Sequence, residues 1–225
     1  MARDPKASKD RRQTRFTDER WRMILDSTAD IFAKRGYEGT GVRDVAEGVG
    51  LLSGSLYYYI DTKEDLLFAI ISDFHRMGLA AIDEVLQSAG PDAVSKLRAV
   101  LARSGELNAE NISKSAVFYN EFRHLSSERK HDIVKDRRIH ETLVVNLIRE
   151  AQADGSVDPS LDPDLTAVSM LSLLNATYTW YRPASPFSPQ EIGDFQASLL
   201  LGGILTRHGH AAVNRNSEEE CNDSA

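Results

Sequence analysis

The stretch GLLSGSLYYYIDTKEDLL, residues 50–67, decides how the chain reads. Three tyrosines stand in a row, Tyr57, Tyr58 and Tyr59, directly after a run of small residues. On a helix neighbouring side chains point about 100° apart, so three adjacent rings cannot share one core. One or two must face outward, where a phenol needs a partner. Leu56 and Ile60, four apart, mark the inward side, with Tyr59 beside that seam. Tyr57 and Tyr58 are left looking away from it.

Upstream, Thr40 is a cap candidate for a short helix over residues 42–48, with Val42, Val45, Ala46 and Val49 as its buried side, and Gly50 breaks it. A second short helix is predicted over about residues 53–60. Two short helices joined by Val49-Gly50-Leu51 read as a helix-turn-helix, whose second helix lies in the DNA major groove. Ser53, Gly54 and Ser55 are small enough to let that helix approach bases, and the serine hydroxyls can bond base edges or phosphates. Tyr57 and Tyr58 then face the groove and its walls. Lys63, opening the next helix, can neutralise a phosphate. The plainer alternative, rings covering a seam and a solvated lysine, does not use the two-helix frame.

Farther out, helix signals dominate and strand alternation is almost absent. Thr17 can cap a first helix, with Phe16 and Trp21 as its hydrophobic staple, and Gly36 stops it. Thr62 caps a long helix carrying Leu67, Ile70, Ile71 and Phe74 on to Leu86. Gly90-Pro91 ends one helix and opens another. Helical segments are predicted over 92–107, 112–124 and 127–153, the last stopped by Asp154-Gly155. Asp162-Pro163 restarts the pattern, and Ser188-Pro189-Gln190-Glu191 is a capping box. The class is all-α, with about nine helices and no internal repeat. Residues 1–16 read as a flexible basic arm, 17–62 as the helix-turn-helix domain, 63–207 as a helical body and 208–225 as a disordered tail.

With 225 residues, 41% apolar and 27% charged, the chain has an ordinary globular composition. No apolar run approaches the ~20 residues of a bilayer span, and the polar start lacks the apolar centre of a secretion signal. A cytoplasmic location is the expectation. Cys221 is the single cysteine, so no internal disulfide forms. The net charge of −7 argues against a protein that coats nucleic acid all over, but the charge is uneven. Residues 1–22 hold eight Lys/Arg against four Asp/Glu, whereas residues 61–225 hold sixteen against twenty-five. That distribution permits a small DNA-contacting head on an acidic body.

The run ILDSTADIFAKRGYEGTGVRDVAEGVGLLSGSLYYYIDTKEDLL resembles the DNA-binding domain of the TetR family of bacterial transcriptional regulators. The resemblance implies a homodimer with a helical C-terminal ligand-binding domain, acting on an operator of two half-sites. It implies Thr40, Tyr58, Tyr59 and Lys63 as phosphate contacts, and Ser53, Gly54, Ser55 and Tyr57 as groove residues. Gly41, Leu52 and Ser53 depart from the family pattern, which has threonine or serine, a capping serine and a lysine there. The variant GLLSGSLY and the later WYRP are similar to a branch that responds to acyl-CoA or steroid-derived thioesters.

In the body, Ile192, Phe195, Leu199 and Ile204 form a stripe at helical spacing, and Gly202-Gly203 permits close backbone approach. With the family implied, Ile192, Phe195, Leu199 and Gly202 become the expected dimer interface. Phe118, Tyr119, Phe122, Tyr178, Trp180 and Tyr181 offer aromatic walls, while Asn175, Arg123, His124 and Arg182 offer polar anchors for a small-molecule inducer. Of these, Phe118, Phe122, Arg123, Asn175, Tyr178 and Arg182 are the expected ligand contacts. An aromatic wall with basic and amide anchors suits an acyl-CoA or a carboxylated ring compound.

The six histidines form no metal-binding spacing, and Gly-x-Ser-x-Gly is absent. No catalytic residue, metal or cofactor is expected. The reading is a ligand-responsive DNA-binding repressor, with a helical acyl-CoA carrier or adaptor that ignores DNA as the alternative.

Overall fold

The computed structural model of the chain describes residues 5–209, in which ten α-helices and one 3-10 turn follow in order. These are α1 (Pro5–Arg35), α2 (Val42–Gly48), α3 (Ser53–Leu56), α4 (Lys63–Ser88), α5 (Ala93–Glu110) and α6 (Ile112–Glu121). After the turn Phe122–His124 come α7 (Ser127–Ala153), α8 (Pro163–Asn175), α9 (Thr177–Trp180) and α10 (Pro189–Gly202). The expected tail lies, from residue 210 onward, outside the described residues.

Local caps set most boundaries. Thr62 accepts the Asp65 amide while the Asp65 carboxylate accepts the Thr62 amide at 2.7 Å, so α4 opens on a reciprocal box. Ser188 and Glu191 form a second such box at α10, and Asp162 caps α8 by accepting the Leu165 amide, each helix with proline in its first turn. Three expectations are corrected. α1 starts at Pro5 rather than at Thr17, so residues 5–16 are helical instead of a flexible arm; no glycine or proline interrupts residues 6–35. The helix that Asp162-Pro163 starts breaks at Ala176 into α8 and α9, where one continuous helix to Tyr181 is expected. α3 stops at Leu56, and Tyr57–Tyr59 follow in turns rather than on the helix.

One apolar core joins the head to the body. Ile24, Leu25 and Phe32 of α1 and Val45, Ala46 and Leu56 pack with Leu66, Leu67, Ile70 and Ile71 of α4, and the same cluster continues into Val117 and Phe118 of α6. The boundary expected at residue 62 therefore runs through shared packing. A second core holds α5, α7, α8 and α10 together. There α10 crosses α5 so closely that a Cβ on Gly193 would stand 2.2 Å from the Ala102 carbonyl oxygen. Glycine is required at that crossing.

Candidate DNA interface and ligand cavity

Gly50 takes φ +67°, the left-handed turn that ends α2 and swings the chain into α3. Leu56 and Ile60 are buried beneath, with Val45 and Ala46, which leaves the opposite side of the 53–58 segment facing solvent. Gly54 and Ser55 are exposed, and a Cβ on Gly54 would meet nothing within 4 Å, so no protein contact explains that glycine. Tyr58 is 85% exposed and Tyr57 53%. Tyr59 turns the other way: its ring stacks on Trp21 at 5.8 Å and 9°, with Tyr58 edge-on to it at 5.4 Å. The three rings therefore divide, two to solvent and one to the seam.

Two expected phosphate contacts hold the head together. Thr40 is 1% exposed and its hydroxyl donates to the Gly36 carbonyl at 2.8 Å, so it neither caps α2 nor reaches outward. Gly41 is the cap residue, its amide donating to Asp44 at 2.7 Å. Lys63 donates to the carbonyls of Tyr37 and Thr40 at 2.9 and 3.0 Å and lies 4.1 Å from the Tyr37 ring centroid. Its ammonium pins the α1–α2 loop onto α4. The Tyr37 carbonyl also accepts the Thr40 amide at 3.3 Å, so the ammonium adds to a turn the backbone has already made.

Between α4, α5, α6, α7 and α8 lies a cavity of about 140 Å³, lined among others by Phe74, Leu107, Phe118, Tyr119, Leu171 and Asn175. Of the expected ligand residues it brings in Phe118 and Asn175. Tyr178 stands one layer behind: its ring stacks on Tyr119 at 5.8 Å and its hydroxyl donates to Asn120 at 2.9 Å. Phe122 packs against the head–body core, and Arg123 lies outside beside His124. Arg182 is spent on its own helix end, donating to the Tyr181 and Thr179 carbonyls at 2.7 and 3.2 Å. None of these four, Tyr178 included, lines the cavity.

Sequence reasoning missed His75, Arg137 and His140 as lining residues. The signal was present in α7. Ile133, Val144 and Ile148 form its buried stripe, and positions 137 and 140 continue that stripe with an arginine and a histidine. Burial first, and the neighbouring His75 second, hold the His140 pKa down at about 4, so the ring is neutral near pH 7. Burial likewise pushes the Tyr119 phenol up, keeping it protonated.

The cavity walls connect to the head through charge. Lys114 of α6 is buried and bonds Asp73 of α4 at 2.9 Å and Asp26 of α1 at 2.7 Å. Burial opposes its charge, but the two carboxylates outweigh burial and raise its pKa. Arg129 of α7 in turn binds Asp65 at the start of α4. Burial alone would raise the Asp65 pKa; the bonds from Arg129 and the Thr62 and Asp61 amides bring it down to about 2.

On the outer side, α8 and α10 expose Leu165, Val168, Phe195 and Leu199, with Phe195 at 66%. Gly202 is exposed beside them. Ile192 is the correction here: it is 6% exposed and packs inward with Ala109 and Tyr181. Among the described residues no helix is long and apolar enough to cross a membrane.

The comparisons agree with this layout. Residues 24–70 match the family model "Bacterial regulatory proteins, tetR family", and residues 90–204 match "Tetracyclin repressor-like, C-terminal domain". The HTH-type transcriptional repressor KstR2 of Mycolicibacterium smegmatis is 30% identical over 187 residues, covering 83% of this chain and 91% of that protein. The structure of the ketosteroid transcriptional regulator KstR2 of Mycobacterium tuberculosis superposes with a TM-score of 0.78 at 27% identity, covering 84% of this chain and 96% of that one. The structure of AibR in complex with isovaleryl coenzyme A and operator DNA superposes at 0.72 with 26% identity, covering 81% and 98%. The chain belongs to the TetR family of bacterial transcriptional regulators, and is a ligand-responsive DNA-binding repressor.

Proposed function

We propose that the cavity takes the acyl part of a coenzyme A thioester, or a carboxylated ring compound, and that its occupancy lowers affinity for the operator. The carrying observation is that α4 and α6, which wall the cavity, also hold the head, through the shared core and the Lys114 ion pairs to Asp73 and Asp26. A ligand that pushes these helices apart changes where α1–α3 sit. About 140 Å³ is close to the size that encloses a benzene ring, so a nucleotide end must lie outside. Arg137, exposed at the rim and 5.6 Å from the Phe118 ring centroid, suits that anionic portion.

The DNA surface is the exposed part of residues 53–58, with Ser53, Gly54, Ser55 and Tyr57 toward the groove and Tyr58 toward a phosphate. Tyr59, Thr40 and Lys63 support this surface from behind. A second copy covers the apolar face of α8 and α10 at Phe195, Leu199 and Gly202, which sets the two heads for half-sites about one helical turn, roughly 34–36 Å, apart. Operator DNA as the partner places the protein in the cytoplasm, and the cavity is assigned to binding rather than catalysis. A carrier indifferent to DNA leaves the exposed Gly54, Tyr57 and Tyr58 without a use.

AibR has been crystallised with thioester and operator together, so the coupling is treated as a shift in affinity rather than mutual exclusion. Titrating acyl-CoAs, free acids, and neutral and cationic compounds into the protein–operator complex, followed by fluorescence anisotropy, tests the reading. Release by acyl-CoAs or acids supports it. Release only by neutral or cationic compounds contradicts the anionic ligand and leaves the regulator intact.

A further inference from the structure

Three glycines stand inside the long helices of the body, and packing explains two of them. At Gly193 of α10 a Cβ would stand 2.2 Å from the Ala102 carbonyl oxygen, and at Gly105 of α5 it would stand 2.5 Å from Oε1 of Gln196. The α5–α10 crossing requires both. Gly78 of α4 is different. A Cβ there would approach only Cδ2 of Leu107, at 3.7 Å, which is ordinary van der Waals contact. Its φ lies outside the left-handed range, so the backbone does not require glycine either. Gly78 is half-buried and stands at the centre of the α4 face that walls the cavity, four residues from Phe74 and four from Ile82, which line it as well.

Glycine inside a helix is destabilising relative to alanine, and nothing in the folded chain alone offsets that at Gly78. We propose that a six-membered ring of the ligand packs on the bare α4 backbone at Gly78, in the space a Cβ would fill, so that Gly78 sets the width of ligand the cavity admits. This deepens the reading of the cavity as a thioester site and rests on it. About 140 Å³ holds one such ring. The walls around it are apolar: Phe74 and Phe118 meet edge to face at 5.7 Å, and Leu107 and Leu171 complete the lining. An extended alkyl chain is narrow and passes beside a Cβ. A ring needs the full width, and only glycine leaves it. The anionic part of the ligand leads out to Arg137 at the rim.

The test compares cyclohexanecarbonyl-CoA with heptanoyl-CoA, which match in carbon number and charge and differ in width, by calorimetry on the full chain. Wild type is expected to bind the ring compound about fivefold more tightly, since the ring has fewer bonds to freeze. Gly78→Ala is expected to weaken the ring compound by about tenfold or more through overpacking, to leave heptanoyl-CoA within about twofold, and so to reverse the preference. The same substitution should raise the melting temperature of the free protein by roughly 2–4 °C. A glycine kept for close helix packing has the opposite signature: Gly78→Ala would melt lower or fail to fold, and would lose both thioesters alike. That signature, an unchanged preference in Gly78→Ala, or no preference for the ring in wild type overturns the assignment while sparing the thioester reading. If wild type binds neither, the thioester reading itself falls and the assignment with it.

Discussion

In the head, the surface proposed to meet DNA is one short stretch, residues 53–58, exposed on one side and anchored by Leu56 on the other. In the body, the cavity draws on five helices, from Phe74 on α4 to Asn175 on α8. A surface built on one segment is set by the local turn and by which residues face out. A cavity built from five segments is set by how helices cross, and its polar residues are neighbours in space alone. The two regions also treat charge differently. The surface proposed for DNA carries neutral hydroxyls, and Lys63 is used internally. The body buries an ion pair, Lys114 with Asp73, at the junction between the regions.

The largest expected effect concerns the outer face of the body. Phe195→Asp with Leu199→Asp puts charge into an apolar interface without touching either core, and sedimentation should show the dimer lost. An intact dimer would move the interface off α10.

Next comes the junction. Lys114→Met leaves the buried Asp73 carboxylate held, among the described residues, by the Arg76 ion pair alone and should lower stability by about 1–3 kcal/mol in urea unfolding. Because head and body share one core, the head should be destabilised with the body, in one transition. An unchanged head transition would mean that the two regions are independent.

A pH titration separates two groups, His140 and Asp65, by window, since both lose their contribution as pH falls. His140 has a folded pKa of about 4 against about 6.5 unfolded, so at intermediate pH the unfolded chain binds the extra proton. Its contribution is fully present above pH 6.5 and is lost as pH falls toward 4, by roughly 1–3 kcal/mol. Asp65, lowered to about 2, loses its contribution only below about pH 4. His140→Phe should flatten the upper window and leave the lower one, and the reverse result would assign the slope elsewhere.

Within the head the tyrosines should divide as their exposure does. Tyr57→Ala or Tyr58→Ala should weaken operator binding by roughly ten- to a hundredfold and leave the melting temperature nearly unchanged. Tyr59→Ala removes the stack on Trp21 and should lower the melting temperature. Loss of stability in the first two, with unchanged gel shifts, would return them to the seam.

This contrast also explains what the sequence disclosed. α2 and α7 end where predicted because Gly50 and the Asp154-Gly155 stop are local signals. The outward turn of Tyr57 and Tyr58 was legible from the spacing of Leu56 and Ile60. From sequence Lys63 reads as a phosphate contact, and nothing local shows that the carbonyls of Tyr37 and Thr40 come within reach of its ammonium. Charge and proximity to aromatics point to Arg123 and Arg182 as anchors, yet a 3-10 turn and a helix end take them elsewhere. Ile192 and Phe195 are three apart and looked equivalent; the close α5–α10 crossing at Gly193 puts Ile192 inside.

The most direct test of coupling between cavity and head uses thermodynamic reciprocity. If a ligand lowers operator affinity by some factor, operator must lower ligand affinity by the same factor. The measurement is the dissociation constant of one releasing acyl-CoA, by calorimetry, on the free protein and on the protein saturated with operator. The expected result is weaker binding in the DNA complex, by the factor found for operator release and in the range of about 5–150-fold. Identical dissociation constants in the two states would contradict the coupling of this cavity to the DNA-binding head.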